Sequence, residues 1–420
     1  MNEFNKVIGY EDVKIELKRI VDMMINPKKY NDLGVSTTRG LLLKGNPGVG
    51  KTLMAKCFIK ASKRKAFTLR KDLPDGDFIK YIKSTFEKAK KEAPSIVFLD
   101  DLDKFANEDS NHRNAEEFVT IQSCIDDCKE DEVFVIATTN DEDAIPFSLF
   151  RPGRFDKSIF IHNPEGEDAK KIVKHYLKKK KCAKDVDANE VARLLDGNSC
   201  ATLETVINEA GVFAGYENHK EVSMNDLLRA FMRVVYNSPE KIVFNDDKYL
   251  LQTAYHEAGH TVVAEILDAN SVPFVTVKPH NGGIQGFARF DNNPSYFEDK
   301  KFMENRVISL LAGKSATEIV YGVVDVGSSR DTDRAVHIVE RFVDDYCSYG
   351  FNTFSVRGNE DSDNFLQTKS SIIAYEMQRF YQQAKRLLIE NRGFLDALAK
   401  ELHDKKVLLG KDIQKIKAAY

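Results

Sequence analysis

Apolar residues fall into two rhythms along the chain. Over the first 165 residues, short β-branched and leucine-rich runs alternate with charged stretches of helical period. The runs "GLLLKG" (40–45), "AFTLR" (66–70), "SIVFLD" (95–100), "VFVIATT" (133–139) and "SIFIH" (158–162) predict five strands. Helices over 51–62 and 78–92 lie between them, so the order predicts a mainly parallel α/β sheet. From 166 to 236 no strand pattern appears, and three or four amphipathic helices follow one another as a helical subdomain. Proline, asparagine and paired aspartates in "YNSPEKIVFNDD" mark residues 237–247 as a linker. Residues 248–420 again read as mainly helical, apart from a strand-rich insert over 271–290. The expected organisation is therefore an α/β subdomain (1–165), a helical lid (166–236), a linker and a helical second domain (248–420).

Bulk properties narrow the function classes. The 420 residues are 42% apolar and 30% charged, which suits a folded multidomain protein. A net charge of −3 leaves no footprint for nucleic acid or an anionic membrane. The longest apolar runs are about five residues, against about twenty for a membrane-spanning helix, and the N-terminus lacks a signal peptide's basic and apolar regions. Six dispersed cysteines make no disulfide framework, so a soluble, cytoplasmic protein is expected. Cys124 and Cys128 share a helix face but lack a second Cys/His pair at zinc-finger spacing.

The first strand runs into Gly45, Asn46, Pro47, Gly48, Val49, Gly50, Lys51 and Thr52, which fit G-x-x-x-x-G-K-T between strand and helix. Glycines there let backbone N–H groups turn around a polyphosphate, with the following helix dipole behind them. Lys51 is placed for the β/γ-phosphates and Thr52 for Mg²⁺. Asp100 and Asp101 end the third strand, where a carboxylate suits a Mg²⁺ partner, and Asn140 ends the next, where it could orient a water. Arg151 and Arg154 in "RPGRFD" read either as surface arginines or as fingers reaching a neighbour's nucleotide in a ring.

The second domain opens on "TAYHEAGHTVVAEI". His256 and His260 lie about 40° apart around a helix, so both imidazoles can meet one Zn²⁺, and Glu257 can serve as base for its water. Two satisfied surface histidines are the plain alternative. A third ligand is needed, and the metzincin continuation fails at Val263 and Ile266. Glu265 and Asp268 are too close on the same helix, which leaves Glu318 and Asp331 as distant candidates.

Together, "VIGYEDVK", "GNPGVGKT", "FEKAKKEAPSIVFLDD", "VFVIATTN", "RPGRFDKSIFIHNP", "INEAGVFA", "TAYHEAGHTVVAEI" and "AKRLLIENRGFLDALAKEL" resemble the FtsH-type AAA+ zinc proteases over nearly the whole chain. The resemblance implies an ATP- and Mg²⁺-dependent zinc endopeptidase acting on unfolded or tagged proteins as a homo-oligomer, with six subunits carried over from the family. It also implies that Asp331, in "GSSRDTDRAV", completes the zinc site, with Glu318 on a neighbouring helix as a supporting residue. "GGIQGFARF" resembles the edge strand on which the family lays out substrate.

Departures from the family pattern set further expectations. The chain starts almost at the motor, where the family has membrane-spanning helices, which implies a soluble form without a direct membrane span. Asp101 stands where the family has a glutamate, shorter by about 1.5 Å, so ATP hydrolysis is expected to be slow. Pro74 occupies the place of the pore-loop aromatic, with Phe78 as a nearby substitute, and Cys200 and Thr202 replace glycine and aspartate beside the nucleotide. Two alternatives stay open: a peptidase with a slow or merely nucleotide-gated motor, and an AAA+ remodelling factor whose zinc helix is structural.

Overall fold

The computed structural model describes residues 2–35, 38–106, 115–239, 247–280, 284–290, 299–323, 326–346, 348–349 and 363–420. The expected linker over 237–247 falls largely outside them. The chain divides into two units, Met1–Val235 and Tyr236–Tyr420.

In the first unit, helices α1 (Glu11–Ile25) and α2 (Pro27–Asn31) precede the sheet. The sheet elements alternate as β1 (Gly40–Lys44), α3 (Lys51–Ser62), β2 (Lys65–Leu69), α4 (Asp75–Lys91), β3 (Ser95–Leu99), α5 (Ala115–Asp127), β4 (Val133–Thr139) and β5 (Lys157–Phe160). All pairings are parallel, in the order β2-β3-β4-β1-β5. β1, β3 and β4 are buried along almost their whole length, which is why their sequences are continuous apolar runs and not alternating ones. Four helices come next: α6 (Gly166–Leu177), α7 (Ala188–Leu194), α8 (Cys200–Tyr216) and α9 (Met224–Tyr236).

The second unit is built on α10 (Asp247–Leu267), with β6 (Phe274–His280), β7 (Ile284–Arg289), α11 (Lys300–Tyr321), α12 (Ser329–Asp344), α13 (Asp363–Glu390), α14 (Arg392–Lys405), β8 (Val407–Leu409) and α15 (Gly410–Lys417) after it. β6 pairs antiparallel with both β7 and β8, so β7 lies at an edge of this small sheet. α10 is buried on nearly all sides, from Leu250 through Glu265. A helix buried all round has no reason to carry polar groups unless they are satisfied or used. Glu265 is satisfied: its carboxylate accepts from Asn270 N (2.9 Å), Val272 N (3.0 Å) and Gln414 Nε2 (2.7 Å). These bonds tie the end of α10 to the approach to β6 and to α15.

Two sequence expectations are corrected here. Phe78 is fully buried, edge-on to Phe105 at 5.3 Å, so it belongs to the core and cannot grip a substrate. It begins the stripe Phe78, Ile82, Phe86 and Ala89, the buried face of α4. Near Pro74 the exposed apolar side chain is Leu73. Glu318 accepts hydrogen bonds from Tyr381 and, at 2.6 Å, from Lys385, and so supports helix packing instead of the metal triad.

Candidate active site

In the first unit the chemistry collects at the carboxyl ends of the strands, where open parallel sheets bind ligands. β1 leads into the loop 45–52, β3 into Asp100 and Asp101, and β4 into Asn140. Gly50, at φ +100°, turns the loop into α3 in a backbone conformation that suits glycine. Lys51 is buried, and its ammonium donates to Gly45 O (2.7 Å), Asn46 O (2.8 Å) and Asn140 Oδ1 (2.9 Å). Burial lowers its pKa from the ordinary value, against the pull of Asp101, Asp103 and Asp100. The Thr52 hydroxyl donates to Asp100 Oδ1 at 2.9 Å, and Thr138 donates to the same oxygen at 2.9 Å. A hydroxyl beside a buried carboxylate is the donor set a hard cation such as Mg²⁺ takes.

Beside this network lies a cavity of about 510 Å³, lined by loop residues together with Tyr10, Asp101, Asn140 and Cys200. That is within the usual range for a small-molecule site. The Cys200 thiol donates to Val49 O at 3.6 Å, and the Thr202 backbone N–H donates to Ser199 Oγ at 3.3 Å, the N-cap of α8. The two arginines part company. Arg151 is exposed, whereas Arg154 is buried in a paired contact with Asp126 (3.0 and 2.7 Å) and also donates to Ser148 O at 2.6 Å.

In the second unit, His256, His260 and Asp331 come together. His256 Nε2 and His260 Nε2 are 3.1 Å apart, and they lie 3.4 and 3.3 Å from Asp331 Oδ2. Ligands on a tetrahedral zinc with bonds of about 2.0–2.1 Å are separated by about 3.3 Å, so the three donor atoms fit that ion. Both histidines are buried, which removes the surface-histidine alternative. His260 Nδ1 is held by Ser309 O at 2.7 Å, which turns Nε2 to the triad. Burial opposes charge on His260, but Asp331 outweighs it and raises the pKa to about 9. Burial likewise pushes against the Asp331 carboxylate, and the two imidazoles hold its pKa well below the usual range.

Glu257, next to His256, is 4% exposed, and burial pushes its carboxyl up to about 7 against the two histidines. Its neighbour is the edge strand β7: a Cβ on Gly286 (φ +66°) would sit 2.8 Å from Glu257 Oε1. Gly313 escapes any reading of the sequence. On α11, a Cβ there would stand 2.4 Å from His260 Nε2 and 2.7 Å from His256 Nε2, so only glycine leaves the imidazoles room.

The model of the ATPase family associated with various cellular activities (AAA) matches residues 41–163, and that of peptidase family M41 matches 243–416. The chain is 31% identical to the ATP-dependent zinc metalloprotease FtsH of Pelobacter propionicus, covering 98% of this chain and 70% of that protein. The chain belongs to the FtsH family. FtsH 1 of Thermoanaerobacter sp. is 32% identical over 98% of this chain and 72% of its own length. FtsH of Bacillus subtilis is 30% identical over 95% and 67%. The chain is accordingly an ATP-dependent zinc metalloprotease, with Zn²⁺, ATP and Mg²⁺ as its cofactors. Among the described residues, no helix is long and apolar enough to cross a membrane.

A second group of metal-capable side chains, Glu217, His219 and Asp226, is explained without a metal. Asp226 forms a capping box with Ser223 at the start of α9, and Glu217 pairs with Arg229 at 2.8 Å. Burial pushes the Cys124 and Cys128 thiols up to about 11 and 12, which leaves them protonated and poor metal ligands.

Proposed function

We propose that this FtsH-family chain unfolds, translocates and hydrolyses protein substrates as a ring, with six subunits. The observation that carries the cutting half is the 3.1–3.4 Å triangle of His256, His260 and Asp331 with Glu257 beside it. The three residues hold the zinc, and Glu257 takes the proton of the attacking water and passes it to the leaving amine. Zinc, when bound, supplies a Lewis acid that polarises the peptide carbonyl and lowers the pKa of water to about 7. A general base in that position has no use in a purely structural metal site. The position of β7 at an edge of its sheet, among the described residues, supports an extended substrate held through its backbone, largely regardless of sequence.

In the motor, the loop 45–52 cradles the phosphates, Lys51 neutralises them, and Thr52 with Asp100 holds Mg²⁺. Asp101 polarises the hydrolytic water, and Asn140 orients it. Exposure of Arg151 supports its action on a neighbouring subunit's nucleotide, and the pairing of Arg154 with Asp126 supports a role in holding that segment in shape. The five described cysteines are all free, which supports a reducing, cytoplasmic setting.

The test is degradation of an unfolded protein, with and without ATP, by wild type, Lys51→Ala and Glu257→Gln. Glu257→Gln should abolish cleavage while ATP hydrolysis continues, and Lys51→Ala should abolish the ATP-dependent part. Cleavage by Glu257→Gln at the wild-type rate would refute the peptidase assignment.

A further inference from the structure

Asp101 sits in an unusual setting for a carboxylate that must reach a nucleotide. Its backbone is left-handed (φ 57°, ψ 57°), and it opens a short 3-10 turn, Leu102–Lys104. That turn folds Lys104 back, so that its ammonium donates to Asp101 Oδ2 at 2.6 Å. Arg70, just past the end of β2, reaches the same oxygen at 3.5 Å. The other oxygen, Oδ1, lies 3.5 Å from Asn140 Nδ2. Asp101 and Asn140 line the nucleotide cavity, whereas Lys104 and Arg70 do not. The carboxylate therefore stands between the cavity and two cations outside it.

We propose that Lys104, assisted by Arg70, is a positioning residue that restrains Asp101 and so sets the rate of ATP hydrolysis. This rests on the reading that Asp101 polarises the hydrolytic water. A carboxylate engaged by an ammonium at 2.6 Å must loosen that contact to advance on the nucleotide. Aspartate has little length to spare, because it cannot reach forward while its far oxygen stays held. Both cations are more than half exposed, with Lys104 at 56% and Arg70 at 62%, so the restraint is a weak one. An exposed ion pair is worth up to about 1 kcal/mol, which corresponds to a rate effect of about five-fold. A restraint of that size tunes turnover without abolishing it.

The experiment measures steady-state ATP hydrolysis by the full chain for wild type, Lys104→Met, Lys104→Arg, Asp101→Asn and Asp101→Glu. Lys104→Met should raise kcat about three- to five-fold with KM for ATP unchanged, and Lys104→Arg should restore the wild-type rate. Raising salt should speed the wild type and have a smaller effect on Lys104→Met, where only the longer Arg70 contact remains to be screened. Asp101→Glu should also run faster, and combining it with Lys104→Met should give less than the product of the two gains. An unchanged or lower kcat in Lys104→Met, with Asp101→Asn inactive, overturns the proposal while leaving the role of Asp101 intact. Full activity in Asp101→Asn would sink that role, and the proposal with it.

Discussion

Replacing Gly313 by alanine is the sharpest probe of the metal centre, because the three atoms nearest the added methyl all belong to the two imidazoles. The new Cβ would lie 2.4 Å from His260 Nε2 and 2.7 Å from His256 Nε2 and Cε1. Ordinary contact begins near 3.4 Å, so the rings must move by about 1 Å or α11 must retreat by as much. Neither is easy. His260 is pinned through Nδ1 to Ser309 on the same helix α11, so ring and clashing methyl are tied to one backbone. Zinc sites tolerate displacements of about 0.2 Å, and loss of ligand orientation alone typically costs 10–100-fold in affinity. Zinc affinity of Gly313→Ala, measured by chelator competition, should therefore fall at least about 100-fold. Peptidase activity should fall with it, while ATP hydrolysis stays within about two-fold of wild type. Gly259→Ala is the contrasting control. Its Cβ would strike the Ala312 carbonyl at 2.6 Å and the Ala316 methyl at 2.7 Å, so it should lower the melting temperature of the second unit. Wild-type zinc affinity in Gly313→Ala would refute this account of how α11 frames the site.

The same geometry has other consequences. Phe78→Ala should destabilise the first unit by about 3–5 kcal/mol in denaturant unfolding, as expected for a buried core aromatic. Leu73→Ala, at a 40% exposed position, should leave stability within about 0.5 kcal/mol. Arg151→Ala should lower ATP hydrolysis by about 10³-fold, and mixing it with Lys51→Ala subunits should restore part of the rate by pairing intact pockets with intact fingers. Arg154 holds Asp126 down to about 2 from 3.8, so this pair stabilises the fold above the unfolded pKa and its contribution is lost as pH falls from about 4 to about 2. The stability difference between wild type and Asp126→Asn, measured by urea unfolding, should accordingly shrink across that window.

The legible parts of this protein are those where local pattern and tertiary role coincide. Buried parallel strands announce themselves as apolar runs, and β1, β3 and β4 fall within a residue of the runs that predict them. The phosphate loop and the paired histidines are close in sequence, so their spacing carries their chemistry. The features that leave no such trace depend on distant segments. Gly313 looks like any glycine in a helix until α11 is laid under α10. Glu318 is five residues further along, about 140° around that helix, which turns it towards Lys385 and not the metal. β8 is three residues long between helical patterns, too short to leave a signal of its own. Phe78 is readable in principle, since Ile82, Phe86 and Ala89 continue its stripe. Its nearness to Pro74 masks that period.

The central claim is that one zinc sits between His256, His260 and Asp331. Zinc K-edge absorption spectroscopy of the full chain, loaded with one equivalent of zinc, tests it most directly. Two imidazole nitrogens and oxygen ligands at about 2.0–2.2 Å are predicted, and Asp331→Ala should lose one oxygen along with tight binding. Sulfur at about 2.3 Å, or a spectrum unchanged by Asp331→Ala, would contradict the account.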